Sequence, residues 1–206
     1  MRLTSESKFL LGVLLVTVLI IGGAFWLFSK PTKPIGKDVL APPTAHTFGN
    51  PAAKTYLVEF SDFQCPACGA FEPAVENMLN KDKDKFLFVY RHFPLPQHEQ
   101  AVPAAHAAEA AGKQGKFWEM HNLLFANQST LSSDLYTSLA KQLNLDMTKF
   151  TADMQASDVA NLVNGDVSVG NSIGIDATPT FFLNGTKINP VNPADLQSLI
   201  ETAIKE

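Results

Sequence analysis

VEFSDFQCPACGAFEP occupies residues 58–73. It extends TYLVEF (55–60), whose β-branched, aromatic and apolar residues have the composition of a strand. After SDFQ comes Cys65-Pro66-Ala67-Cys68, and the pattern turns helical from Pro66 to about Leu79. Pro66 suits a first helical turn, where its missing N–H leaves no bond unmade. Pro73 is expected to kink the helix farther along. A strand, a Cys-x-x-Cys turn and a helix in that order have a chemical logic. Thiolate, not thiol, is the nucleophile in sulfur exchange. Cys65 at the first helical position faces unpaired backbone N–H groups and the positive end of the helix dipole, and both favour S⁻. Cys68, one turn on, is expected nearer the interior, where it can attack Cys65 and resolve a mixed disulfide.

The chain has only these two cysteines. As a structural staple they would close so short a loop that little chain entropy is removed. A zinc site needs about four ligands. His92, His98, His106 and His121 could in principle complete one, yet His98 and His106 are expected on a solvated surface helix. Redox chemistry is therefore preferred over zinc or inert thiols, and no metal is expected. Asp62, Phe63 and Gln64 are expected to line the approach to Cys65. Phe60, Phe63 and Phe71 are expected in the core or a groove wall. Glu59 falls on a strand expected to be buried, where a carboxylate must find a partner or take a proton. The alternative is an edge glutamate facing water.

Farther along, FLFVYRHF (86–93) reads as a second strand, apolar enough to be central. From His98 to about Val169 the pattern is helical: an Ala-rich stretch broken at Gly112 and Gly115, then LSSDLYTSLAKQLNL with Ser132 or Ser133 as cap, then two more helices. TFFL (180–183) is a strand, Asn184-Gly185 a hairpin turn, and Thr186 to Ile188 the return. A last helix begins near Pro193. Strands interleaved with helices point to an α/β fold with a mixed sheet.

Phe9 to Phe28 carries no charge and, at about 1.5 Å per helical residue, spans roughly one hydrocarbon core. Trp26 sits near its far end, as an interfacial aromatic would. The expectation is a transmembrane anchor, or an uncleaved signal. A cleaved signal peptide is the alternative, against which stands a run longer than the usual signal core. Pro31, Pro34, Pro42 and Pro43 mark residues 29–43 as an extended tether. The expected organisation is a flank (1–8), the anchor (9–28), the tether (29–43), a first α/β part (44–97), a helical insert (98–172) and a second α/β part (173–206). Removing the first thirty of the 206 residues leaves enough chain for a self-sufficient core. The net charge of −4 gives no basic footprint for nucleic acid.

VEFSDFQCPACGAFEP (58–73) resembles the active-site segment of the DsbA-like branch of the thioredoxin superfamily. ATPTFFLNG (177–185) is similar to that branch's cis-proline loop and hairpin, and the helical block between them matches its inserted helical domain. The resemblance covers about residues 44–204. It implies a thioredoxin-like fold with a helical insert, Cys65 as nucleophile and Cys68 as its partner. It also implies a cis bond at Thr178-Pro179 that presents the Thr178 backbone to an extended substrate, with Pro66 and Ala67 shaping the same surface. Glu59 would be the acid that relays the proton of the resolving sulfur. One departure stands out: strongly oxidising members carry histidine where this chain has Ala67.

The function expected is a protein disulfide oxidoreductase. Foremost is a dithiol oxidase that donates its disulfide to exported proteins with cysteines. It would stand outside the cytoplasm, in the periplasm or on the outer face of the membrane, as a monomer. No organic cofactor is expected, and a membrane redox partner would reoxidise it. The alternatives are a reductase or isomerase on the same scaffold, and a membrane-held peptide-binding chaperone without chemistry.

Overall fold

The structure, a computed structural model, describes residues 14–23 and 33–205. The expected flank 1–8, residues 9–13 and 24–28 of the expected anchor, and 29–32 of the tether lie outside the described residues. Residues 14–23 are helical (α1), with every side chain exposed. Among the described residues no helix is long and apolar enough to cross a membrane. Residues 34–206 form a unit of their own.

That unit opens with α2 (Lys37–Leu40), β1 (His46–Gly49), β2 (Thr55–Ser61), α3 (Pro66–Asp82) and β3 (Phe86–His92). Five helices follow: α4 (Ala101–Gly112), α5 (Phe117–Ala126), α6 (Ser133–Gln142), α7 (Met147–Asp153) and α8 (Ser157–Ser172). The chain then returns through β4 (Thr180–Leu183) and β5 (Thr186–Ile188) to α9 (Pro193–Lys205). The sheet order is β1-β3-β2-β4-β5. β2 and β3 run parallel, and the other pairs are antiparallel.

Every residue of β2 and β3 is buried, because both sheet faces are covered. Side chains alternate between the faces. Leu57, Phe88, Tyr90 and Phe181 join Cys68, Val75 and Met78 of α3 and Leu196 and Ile200 of α9 in one core. Tyr56, Val58, Phe60, Val89 and Phe182 join Leu40 and Ile175 in the other. Glu59 shares the parity of Leu57, so it points toward the face that carries α3.

The helical elements follow local signals. Ser132 Oγ accepts from Leu135 N to cap α6, and Asp146 caps α7 through Lys149 N. The Ala-rich α4 buries Ala104, Ala107, Ala108 and Ala111, small side chains that let neighbouring helices approach closely. Its one buried acid, Glu109, receives His46 Nε2 at 2.8 Å and His92 Nε2 at 2.9 Å, joining α4 to β1 and β3. Burial pushes the Glu109 carboxyl up, but the two histidines outweigh this and bring it down to about 2. At the hairpin, Asn184 (φ 50) and Gly185 (φ 86) take the left-handed conformations that a tight primed turn needs.

One element was not foreseen and one expectation needs correction. His46–Gly49 is a strand, β1, which the short polar-flanked AHTFGN did not announce. Nor is residues 29–43 an extended tether throughout. From Pro34 on, the chain is docked: Ile35 N donates to Gly185 O at 2.8 Å, α2 forms, and Leu40 is fully buried. The buried Arg91 secures this strap. Its guanidinium donates to Val39 O (3.0 Å), Leu40 O (2.9 Å) and Asp166 Oδ1 of α8 (2.7 Å). Burying Leu40 is worth about 2 kcal/mol and adds to the hydrogen bonds of Ile35 and Arg91 in holding the strap down.

Candidate active site

The turn between β2 and α3 carries both cysteines. Cys65 is the N-cap of α3 and Pro66 its first residue, so Cys65 stands one position ahead of the expected first helical position. The turn is closed by Cys65 N donating to Asp62 O at 3.0 Å. Pro66 and Ala67 are exposed, Cys65 is 6% exposed and Cys68 is fully buried. Both cysteines are free thiols. Cys65 Sγ donates to the Thr178 carbonyl oxygen at 3.3 Å, and the Thr178–Pro179 bond is cis.

These surroundings drive the two thiols apart. Cys65 is lowered to about 5, first because the Cys68 thiol donates to its sulfur. Burial opposes the shift, while the Thr178 side chain and the backbone N–H groups of Cys68 and Ala67 reinforce it. The Thr178 hydroxyl is buried without a partner while Cys65 is a thiol, which leaves it available to the thiolate. Cys68 is pushed well up, first by burial, then by the hydrogen bond to Cys65 and the charge of Glu59.

Glu59 is 1% exposed. Ser61 Oγ donates to its Oε1 at 2.6 Å, and its Oε2 has no partner. Burial raises its carboxyl to about 7, against the Ser61 bond and with help from Cys65. Glu72, one turn beyond Cys68 on α3, is likewise raised to about 8 by burial and by Glu59 and Glu76. His121 lies 3.7 Å from it, but burial holds that imidazole near 3, so the pair is not ionic at neutral pH.

Asp62 and Phe63 are buried and do not line the approach to Cys65. Asp62 is buried, and its carboxylate accepts Gln64 N (2.7 Å), Leu95 N (2.9 Å) and His98 Nδ1 (2.7 Å). His98 is therefore engaged rather than solvated. Phe63 is 1% exposed and stacks on Tyr90. Gln64 Oε1 accepts Gln100 N at 2.6 Å. The open surface lies instead beside Pro179, a cleft of about 250 Å³ lined by Phe71, Pro179, Phe181, Lys187, Ile188 and Pro190. Among the described residues, no three of His, Cys, Asp and Glu gather as metal ligands. Gln128 also meets the redox turn, 63 residues away from Cys65 in sequence, and no local signal announced it.

A mixed sheet with this cysteine turn, a cis-proline opposite it and helices between β3 and β4 defines a thioredoxin-like fold with a helical insert. The chain belongs to the thioredoxin family, whose profile, described as Thioredoxin, matches residues 41–202. A thioredoxin-like oxidoreductase from Silicibacter pomeroyi DSS-3 superposes with TM-score 0.73 at 28% identity, over 83% of this chain and 99% of that one. The thiol-disulfide exchange protein alpha-DsbA2 from Wolbachia pipientis shares the fold, with TM-score 0.72 at 20% identity over 82% of this chain and 90% of that one. The Na(+)/H(+) antiporter NhaA 1 of Mycobacterium sp. (strain KMS) is 37% identical over 201 residues, 92% of this chain but 32% of the antiporter. The chain thus spans less than a third of the length of the curated relatives it matches, and ion antiport belongs to that longer protein's name.

Proposed function

We propose that this protein is a dithiol oxidase that passes a Cys65–Cys68 disulfide to exported proteins. The observation that carries this reading is the placement of the two thiols: Cys65 is the N-cap of α3, its sulfur 3.3 Å from the Thr178 carbonyl oxygen, and Cys68 is fully buried behind it, a setting that lowers Cys65 and raises Cys68. A stabilised Cys65 thiolate favours the reduced form of the pair, which makes its disulfide a strong oxidant. Ala67 does not remove that stabilisation, because it comes from Cys68, Thr178 and backbone N–H groups.

In the reaction, a substrate thiolate attacks Cys65 Sγ of the disulfide. The Cys65–Cys68 bond breaks, and Cys68 leaves with the electron pair and takes a proton relayed through Glu59. A second substrate thiolate then attacks the substrate sulfur of the mixed disulfide and releases Cys65 as thiolate. The substrate loses two electrons to a new disulfide, and the cysteine pair gains them as dithiol. An electron acceptor in the membrane must then restore the disulfide. The substrate chain lies along the Thr178 backbone and the cleft beside Pro179, with Pro66 and Ala67 at its lip.

The reduction potential of the pair tests the direction. A value near about −120 mV supports the oxidase, and one near about −270 mV overturns it in favour of a reductase. Cys65→Ser should abolish exchange, whereas a chaperone without chemistry would keep its function. We place the domain outside the cytoplasm, held by the apolar run 9–28. Retention in alkaline-washed membranes and labelling of Cys65 by an impermeant thiol reagent on whole cells check that placement.

A further inference from the structure

We propose that Gln128 is a positioning residue of the redox turn, a clamp from the helical insert that aims the Cys65 sulfur at Thr178. The inference rests on the redox reading of the turn given above. Gln128 opens a short 3-10 turn after α5. Its Nε2 donates to two backbone carbonyls, Phe63 O at 2.8 Å and Cys65 O at 2.9 Å. These carbonyls flank Gln64, so one carboxamide spans the peptide units that carry the chain from β2 into α3. Cys65 O also accepts Gly69 N at 3.2 Å, the first helical bond around this turn. Gln128 thus braces the residue at which strand geometry changes to helix. The direction of the Cys65 Cα–Cβ bond follows from that change.

Gly69 supplies an independent observation. A Cβ built there would collide with the Gln128 carboxamide, its Oε1 first and its Nε2 at 3.0 Å, and these are the three nearest atoms together with Cδ. Elsewhere in a helix glycine is disfavoured relative to alanine. Here it leaves room for the clamp. Other bonds tie the same turn to the chain beyond β3, through Asp62 to Leu95 and His98 and through Gln64 to Gln100. Of the side chains in these bonds, that of Gln128 alone reaches the backbone of Cys65 itself. The helical insert therefore contributes to the redox turn as well as flanking it.

The test uses the full chain carrying Gln128→Ala, Gln128→Glu or Gly69→Ala, and Gly69→Ala combined with Gln128→Ala. The readouts are the Cys65 thiolate absorbance titration, the rate of disulfide exchange with a cysteine-containing peptide, and the melting temperature. Both Gln128 variants should raise the Cys65 midpoint by about one pH unit and slow exchange about fivefold to tenfold, the worth of one net hydrogen bond. Gln128→Glu keeps the shape without the donor but adds a charge, and Gln128→Ala adds no charge but loses the packing, so the shift common to both reports the lost bond. Gly69→Ala should reproduce the shift, and should add nothing further in the Gln128→Ala background. Lowered melting with an unmoved Cys65 midpoint, or full additivity of the two changes, overturns the clamp while exchange by the unaltered protein upholds the redox reading. An unaltered protein that exchanges no disulfides overturns both.

Discussion

The thiol of Cys65 donates a hydrogen bond to the backbone carbonyl oxygen of Thr178 across 3.3 Å, although 113 positions separate the two residues in the chain. The same threonine holds a buried hydroxyl with no partner beside that sulfur. One residue thus offers an acceptor to the thiol and a donor to the thiolate.

Thr178→Val keeps the shape and the carbonyl and removes the hydroxyl. The Cys65 midpoint should rise by about one pH unit, the worth of one hydrogen bond to a charged sulfur. The reduction potential should become more negative by about 30 mV, since the reduced form loses its stabilisation. Equilibration with a glutathione buffer measures it, and a potential that moves the other way rules out the hydroxyl as a thiolate donor.

The low Cys65 value makes the reduced protein's stability depend on pH. A thiol lowered in the folded state stabilises the fold fully above its unfolded value near 9 and loses this as pH falls through about 5. At pH 7, between those two values, the contribution is present in part. Denaturant unfolding of the reduced protein and of Cys65→Ser between pH 4 and 9 should show a stability difference that grows with pH, since Glu59 and Glu72 act alike in both. Equal slopes in the two proteins would contradict the thiolate assignment.

Glu59 acts in the opposite sense. Its folded value of about 7 lies above the ordinary 4.5, so folding takes up a proton between those values. The fold is unpenalised below about pH 4.5 and loses stability as pH rises through 7. Glu59→Gln should be neutral near pH 4 and stabilising by about 3 kcal/mol at pH 8. It should also slow the attack of substrate on the Cys65–Cys68 disulfide, the step in which Cys68 leaves and takes its proton. Stabilisation of the same size at both pH values would mean that the carboxyl is already ionised in the folded state.

Arg91→Met removes the guanidinium from two strap carbonyls and from Asp166. A buried pair broken on one side costs about 3 kcal/mol or more. The denaturation midpoint should fall accordingly, and proteolysis should cut near residues 34–41. The Cys65 titration should stay where it is. A shifted Cys65 midpoint would show that the strap reaches the redox turn.

Much of this was legible in the chain as written. Cys65-Pro66-Ala67-Cys68 lies at a strand-to-helix junction because TYLVEF favours a strand and Pro66 a helix start. Asn184-Gly185 closes a hairpin because two left-handed residues are needed there. Ser132 caps α6 because its hydroxyl reaches the N–H three residues on. These are interactions between residues a few positions apart, and residue type and spacing suffice to read them. β1 and the strap were not legible, because His46–Gly49 and Lys37–Leu40 take shape by pairing with β3 and by burying Leu40 under Arg91. Asp62 looks like a lip residue by its place before the cysteines. It turns inward because Leu95 N and His98 are there to receive its charge. Sequence alone thus determined the kind of chemistry, two thiols at the start of a helix. Tertiary packing decided how that chemistry is tuned. It brought Thr178 to Cys65, set Glu59 on the α3 face and laid Gln128 across the turn, through contacts between residues far apart in the chain that only a closed fold brings within bonding distance.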